Sequence, residues 1–182
     1  MTSYGYFQAV MGNGSTFLAP VTAYPTTTLT MALYNPTSDR AYKIHSVHSF
    51  LASGTPGAGG ALLVCVTAIA QARPTLSTGA NSGYAGTVIS NLGGRGAPGD
   101  TQAVFLNAIT LTGGQPAWIV AAGEPEAGTG ATIATHAQVG LLSAFGIRIL
   151  PGHMLGITYL SGAGTSPLYG FGVTYEETSF PD

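Results

Sequence analysis

The chain has 182 residues, of which only 7 % are charged, with 5 Lys and Arg against 7 Asp and Glu for a formal net charge of −2. Ordinary domains are about a quarter charged, and nucleic-acid binding needs clustered cations, so neither DNA nor RNA is an expected partner. The hydrophobic content of 45 % excludes intrinsic disorder, while 27 Gly and 11 Pro argue against long helices.

Short strands separated by turns rich in Gly and Pro are predicted along the whole chain. In order they cover residues 4–10, 16–21, 28–34, 42–52, 62–69, 104–111, 118–122, 147–150, 154–160 and 169–175, with 84–89 and 139–145 as two further short stretches of strand character. The spacing predicts roughly eight to ten strands in an all-β, antiparallel β-sandwich or barrel. Residues 131–139 are the nearest approach to a helix, and the pattern there is weak.

The last strand has the clearest pattern, because aromatic and aliphatic residues alternate with small and polar ones over 169–176. Strict period two predicts one face turned to the core. Three other segments, 62–69, 104–111 and 118–122, are apolar on both faces. Such strands are covered on both sides, either by a second layer or by another subunit.

Two long connections, 73–100 and 123–130, are rich in Gly, Ser and Thr, and neither a repeat nor a linker divides the chain. One domain is therefore expected. The single Cys65 lies in the apolar run 61–70, which predicts a buried thiol and no intrachain disulfide. That run is about half the length of a membrane-spanning helix, and the N-terminus lacks a signal-peptide pattern, so we expect a soluble chain with no membrane partner.

The histidines do not predict a metal site. His45 and His48 are three residues apart, and on a regular strand such side chains point to opposite faces. Nearby acids are not at ligand spacing. We therefore expect no metal and no cofactor.

Other catalytic motifs are also weak. Residues 94–99 match Gly-x-Gly-x-x-Gly, but Pro98 and the extended chain that follows do not supply the helix that a dinucleotide requires. Glu124 with Glu126 lies in one loop, and Glu176 with Glu177 is predicted to point to opposite faces of one strand. Neither pair predicts two carboxyls facing each other across a cleft. No catalytic residue is nominated, and an enzyme is not expected.

The C-terminal third carries a family resemblance. Its pattern begins with an apolar strand at 147–150, a Pro151-Gly152 corner and a second apolar strand to residue 160. A Gly/Thr-rich loop and a final aromatic strand ending at Glu177 follow. This pattern resembles the closing strands of single-jelly-roll virion proteins of tailed bacteriophages. The resemblance implies a jelly-roll sandwich with long Gly/Thr-rich loops that decorates or cements capsids, or forms fibres, most often as a trimer.

The scarcity of charge favours the same function, because interface cores are depleted in Lys, Glu and Asp. We therefore predict a non-enzymatic virion structural protein, made in the host cytoplasm, that forms a homotrimer and stabilises a lattice of major capsid protein. Residues 1–18 are predicted to be an N-terminal arm, hinged at 12–14, on a single domain of residues 19–182. The arm's aromatic side chains are the candidate partner contacts: Tyr4, Tyr6, Phe7 and Phe17.

Two other functions stay open. One is a carbohydrate-binding jelly roll of a fibre or tail, or a receptor-binding module, with Trp118 and Tyr84 as candidate sugar contacts because aromatic faces stack on sugars. The other is a polysaccharide-active enzyme, which is weaker because no separated carboxylate pair can be named.

Overall fold

A computed structural model describes residues 3–11, 17–57, 60–72, 87–93, 103–113, 116, 119–122, 146–162 and 164–180. Within these ranges the chain is all-β, with ten strands and no helix. The strands are β1 (Ser3–Met11), β2 (Thr28–Tyr34), β3 (Arg40–Thr55), β4 (Gly60–Val66), β5 (Thr87–Gly93), β6 (Val104–Thr110), β7 (Ile119–Ala122), β8 (Arg148–Ile149), β9 (Met154–Ser161) and β10 (Thr165–Ser179).

The strands form two five-stranded sheets in the orders β5-β1-β10-β3-β8 and β6-β2-β9-β4-β7. Within each sheet, all neighbouring strands pair antiparallel. The predicted antiparallel β-sandwich is confirmed. The prediction of a strand over 16–21 is wrong, since that segment makes only isolated bridges, from Leu18 to Tyr169 and from Val21 to Leu160. Residues 139–145 lie outside the described residues.

Eight of the ten strands, all except β5 and β6, form two four-stranded groups with one pairing order each. The remaining eight strands, counted along the chain, pair as first, eighth, third and sixth in one sheet and as second, seventh, fourth and fifth in the other. The segment between β4 and β7 supplies β5 to the edge beside β1 and β6 to the edge beside β2. It thus widens each sheet by one strand without changing the pairing of the other eight.

The main core lies between the sheets and is rich in aromatic rings. On β10 the inward side chains are Tyr169, Phe171, Val173 and Tyr175, all completely buried, as their alternation predicts. The rings of Tyr159 and Tyr169 stack with centroids 4.2 Å apart. This contact joins the central strands of the two sheets.

Strand β4 is buried on both faces. Leu62 and Val64 lie in the main core, and Leu63 and Cys65 on the opposite face are also inaccessible to solvent. On this outer face Leu29 of β2 and Cys65 belong to one cluster of buried side chains, and both pack where a Cβ on Gly156 of β9 would stand. Of the two explanations for strands apolar on both faces, burial within one copy of the chain is sufficient here, and no second subunit is required.

The N-terminal residues 3–11 form a strand of the sandwich. β1 pairs with β10 on one side and with β5 on the other. Phe7 is 1 % exposed and its ring lies 5.7 Å from that of Tyr175 in the main core. Phe7 and Ala9 are buried while Tyr6 and Gln8 between and beside them are not, which is the two-residue period of a strand, and burial of Phe7 and Ala9 holds β1 in the sheet.

Candidate functional site

The outer face of the first sheet carries a series of rings and polar groups arranged in rows across β1, β10 and β3. We call it the ring-lined face and define it by Tyr6, Phe17, His45, His48 and Phe50. The centre of each row is an outward residue of β10, in the order Glu176, Thr174, Gly172 and Gly170. The first row is Tyr6–Glu176–Lys43, the second is Gln8–Thr174–Ser46, the third includes Gly172–His48 and the fourth includes Gly170–Phe50.

Two rings of this face lie across glycines. A Cβ on Gly172 would overlap the imidazole of His48, and a Cβ on Gly170 would lie 2.7 Å from both Cε atoms of Phe50. Strand side chains ordinarily stand perpendicular to the sheet. Because glycine leaves the neighbouring position empty, these two rings instead lean over β10.

Phe17 completes the fourth row. The backbone bridge between Leu18 and Tyr169, with hydrogen bonds of 3.0 and 2.8 Å, places Phe17 next to Gly170 on the side opposite Phe50. The rings of Phe17 and Phe50 meet edge to face with centroids 5.7 Å apart. This geometry is favourable for aromatic pairs.

A β-bulge brings His45 to the same face. Thr174 is opposite Ser46 and Tyr175 is opposite Ile44, so His45 is the extra residue of β3. A bulge places one more residue on one strand than on its partner and shifts the alternation of faces by one.

The expectation that His45 and His48 point to opposite faces is therefore wrong. His45 Nε2 lies 3.3 Å from Oε2 of Glu176, and its ring lies 5.5 Å from that of Tyr6. His48 is more enclosed, and burial lowers its pKa. In the described part of the chain, no three His, Cys, Asp or Glu side chains come together as a metal site would require.

Glu176 and Glu177 do point to opposite faces of β10, as predicted. Glu176 lies on the ring-lined face, whereas Glu177 is fully buried and accepts a 2.7 Å hydrogen bond from Nη1 of Arg40. The two carboxylates are thus separated by the sheet and do not face one cleft. Glu124 and Glu126 lie outside the described residues.

A second surface is found at the end of the sandwich where β2 runs into β3, and its centre is Asn35. The fully buried side chain donates from Nδ2 to the carbonyls of Arg40 and Ile149, at 2.8 and 3.0 Å. Its Oδ1 accepts from the backbone and hydroxyl of Thr37, at 3.0 and 2.6 Å. One amide therefore satisfies polar groups of the turn after β2 and of the adjacent strands β3 and β8.

Backbone hydrogen bonds extend this framework to neighbouring loops. The carbonyl of Asn35 accepts from Gly152, whose own carbonyl accepts from Gln71, both at 2.8 Å. The amide of Phe180 donates to Asp39 at 2.8 Å. Three separate segments, 35–40, 67–71 and 150–153, and the C-terminal end of β10 are thereby held together.

This end of the sandwich exposes large apolar side chains. Ile69 is 51 % exposed, Leu150 is 38 % exposed and Phe180 is 36 % exposed. We call these three residues the end patch. Tyr24, at 57 %, is also exposed but lies near the opposite ends of β2 and β9, between Val21 and Thr27.

The four residues proposed as partner contacts lie in three different surroundings. Tyr6 is 41 % exposed and Phe17 half-buried, both on the ring-lined face. Phe7 belongs to the core and is not available to a partner. The ring of Tyr4 lies 4.4 Å from the guanidinium of Arg40.

The sugar-contact candidates Tyr84 and Trp118 lie outside the described residues. Sequence reasoning missed the outward placement of His48 and Phe50 and the buried hydrogen bonds of Asn35. The alternation of β10 did predict an outward Gly170 and Gly172. Only the register between strands indicates which rings fill those positions.

No helix in the described ranges has the length and apolarity needed to cross a membrane. No family model, no curated protein and no solved structure matches this chain.

Proposed function

We propose that the chain is a jelly-roll structural protein that acts by assembly. The pairing order of the eight strands other than β5 and β6 supports this, since it is the order in which two Greek keys fold into a double-sheet jelly roll. Of the segments that carry the resemblance to virion proteins of tailed bacteriophages, β9 and β10 are the central strands of the two sheets, and β8 is an edge strand beside β3.

The proposed partners are further copies of the chain, as a homotrimer, and a major capsid protein lattice that the trimer decorates and stabilises. The protein would then reside in the virion. The observation that carries the assembly proposal is the end patch of Ile69, Leu150 and Phe180, because exposed apolar surface on a rigid support marks protein interaction sites.

Rigidity matters for the affinity of such a patch. Ordering loops on binding opposes association, and the hydrogen bonds of Asn35, Gln71 and Gly152 already fix these loops in the free chain. A charge content of 7 % leaves few ionic groups to desolvate when the surface is covered.

The experiment measures the mass of the protein in solution and its binding to virus particles. Light scattering after size exclusion is expected to give a trimer, and the protein is expected to sediment with the particles from which it is purified. Substituting Ile69→Ser, Leu150→Ser and Phe180→Ser together is expected to abolish at least one of these associations, whereas Tyr24→Ser at the opposite end leaves both unchanged.

A wild-type chain that stays monomeric at high concentration and does not sediment with particles would overturn the proposal. Association that survives in the triple variant would overturn the assignment to the end patch. Circular dichroism and thermal melting of each variant show that a loss of association does not come from unfolding.

A further inference from the structure

We propose that the ring-lined face binds an uncharged glycan, with Tyr6, His48 and Phe50 under the sugar rings and Gln8 and Thr174 as hydrogen-bonding partners for sugar hydroxyls. This binding function is separate from assembly through the end patch. It also uses different residues from the sugar contacts expected from the sequence.

The first argument is the orientation of the rings. A pyranose presents a flat, apolar face of C–H groups, and it needs a ring surface that lies along the protein surface. His48 and Phe50 lean over Gly172 and Gly170, and a side chain at either glycine would displace them. The glycines of β10 therefore allow these two rings to lie over the strand, on the surface where a sugar would stack.

The second argument is the polar part of the face. Sugar hydroxyls both donate and accept, so a site must offer both kinds of group beside the rings. In the row of Tyr6, the carboxylate of Glu176 is only 8 % exposed and lies 3.3 Å from Nε2 of the half-buried His45, which is the more accessible polar group of the two. The next row adds the side chains of Gln8 and Thr174, which are half-buried and so partly accessible.

The third argument is length. Outward residues of a strand are spaced by about 7 Å, so the four rows from Glu176 to Gly170 extend over about 20 Å. A surface of this length accommodates several sugar units in line along β10. The predicted ligand is accordingly an oligosaccharide or polysaccharide chain, with a monosaccharide bound much more weakly.

The charges of the face favour an uncharged ligand. Glu176 is adjacent to Lys43 across the β10–β3 pair, and Lys43 is adjacent to Arg148 across the β3–β8 pair. Acidic and basic groups thus occupy one end of the face together, and the rows of Gly172 and Gly170 contain uncharged rings. Nucleic acid, which also stacks on rings, would need a track of cations along its phosphates.

The test is a glycan array probed with the intact chain, followed by calorimetry on the strongest ligand. Tyr6→Ala is expected to weaken binding about tenfold, the loss typical of one aromatic contact. Tyr24→Ala removes another exposed tyrosine, 57 % exposed against 41 % for Tyr6, away from the face and is expected to leave the affinity unchanged.

A second variant tests the orientation of a ring while keeping every ring present. Gly172→Ala is expected to turn His48 away from β10 and to weaken binding, and thermal melting reports whether the variant is folded. If the wild-type chain binds no glycan above background, the proposal is wrong. It is equally wrong if Tyr6→Ala and Gly172→Ala bind like the wild type.

A second copy of the chain is the competing occupant of this face. If Tyr6→Ala lowers the mass measured by light scattering and the array is negative, the face is a subunit contact and the glycan proposal fails. The assembly proposal is judged by the end-patch variants, so the two proposals fail separately.

Discussion

Arg40 donates a 2.7 Å hydrogen bond from Nη1 to Oε2 of Glu177, and that carboxylate has no exposure to solvent. The ring of Tyr4 lies 4.4 Å from the same guanidinium. The contact joins the start of β3 to the end of β10, and Tyr42 is buried nearby with its pKa raised by burial and by the charge of Glu177. The Arg40–Glu177 ion pair thus lies at the margin of the aromatic core.

Removing one partner of this pair is expected to be costly. Arg40→Met removes the cation that donates to the buried carboxylate of Glu177, which is expected to lower the free energy of unfolding by about 3 kcal/mol. Urea denaturation measures the effect. Lys43→Met, which removes a half-buried cation from the same strand, is the control and is expected to change stability by less than about 1 kcal/mol.

The double variant Arg40→Met with Glu177→Leu checks the reason. The double variant removes both charges of the ion pair. It is therefore expected to recover much of the free energy of unfolding that Arg40→Met alone loses. An Arg40→Met protein as stable as the wild type would contradict the importance of the pair.

Asn35 is expected to be hard to replace. Asn35→Ala leaves the carbonyls of Arg40 and Ile149 and the amide of Thr37 without the partner they have in the wild type. The expected loss is about 3 kcal/mol, read from denaturant unfolding. Asn35→Asp keeps the acceptor but loses the donor, so it also destabilises, whereas Ser38→Ala in the same turn is expected to be nearly neutral.

Gly156 is required by close packing on the outer face of the second sheet, where Leu29 of β2 and Cys65 of β4 lie over β9. A Cβ there would lie 2.6 Å from Cδ2 of Leu29 and 2.7 Å from Sγ of Cys65. Gly156→Ala is therefore expected to lower stability by about 1–3 kcal/mol, the usual effect of overpacking. Gly170→Ala provides the comparison, because there the obstacle is the outer end of a half-buried Phe50 ring that can move.

Stability is expected to fall at alkaline pH. Burial raises the pKa of the Cys65 thiol to about 12, against about 8.5 in an unfolded chain. Between these values the unfolded chain loses a proton that the folded chain keeps, so the contribution of this group is complete below pH 8.5 and declines as the pH rises towards 12. The slope reaches about 1.4 kcal/mol per pH unit.

Cys65→Ala isolates the part that comes from the thiol. Urea unfolding at pH 8 and pH 10 is expected to show a smaller decline in the variant than in the wild type. Burial also raises the pKa values of Tyr42 and Tyr159, whose effect begins near pH 10 in both proteins. Equal declines over this interval would show that Cys65 ionises freely in the folded chain.

Local pattern was sufficient for much of the fold. The strand over 28–34 has the predicted bounds, and the alternation over 169–175 gives the buried and outward faces of β10. These features follow from the two-residue period of a strand, a property of neighbouring residues. The burial of Cys65 likewise follows from its apolar neighbours.

The candidate sites depend on contacts between distant residues. Asn35 bonds Ile149 across 114 residues, and Arg40 bonds Glu177 across 137. The same is true of the rings of His48 and Phe50, whose glycine neighbours are assigned by the register of β3 on β10. A shift of one residue would place those rings in the core, and no local pattern fixes the pairing.

The sequence by itself determined that this chain is an all-β protein with little charge, an aromatic inner face on its last strand and a buried thiol, because each of these follows from composition or from strand periodicity. Only the tertiary structure decided that residues 3–11 are a strand of the sandwich, that both faces of β4 are buried within one copy, and that His45 shares a face with His48. The reason is that strand order, register and bulges are set by hydrogen bonds and packing summed over the whole sandwich.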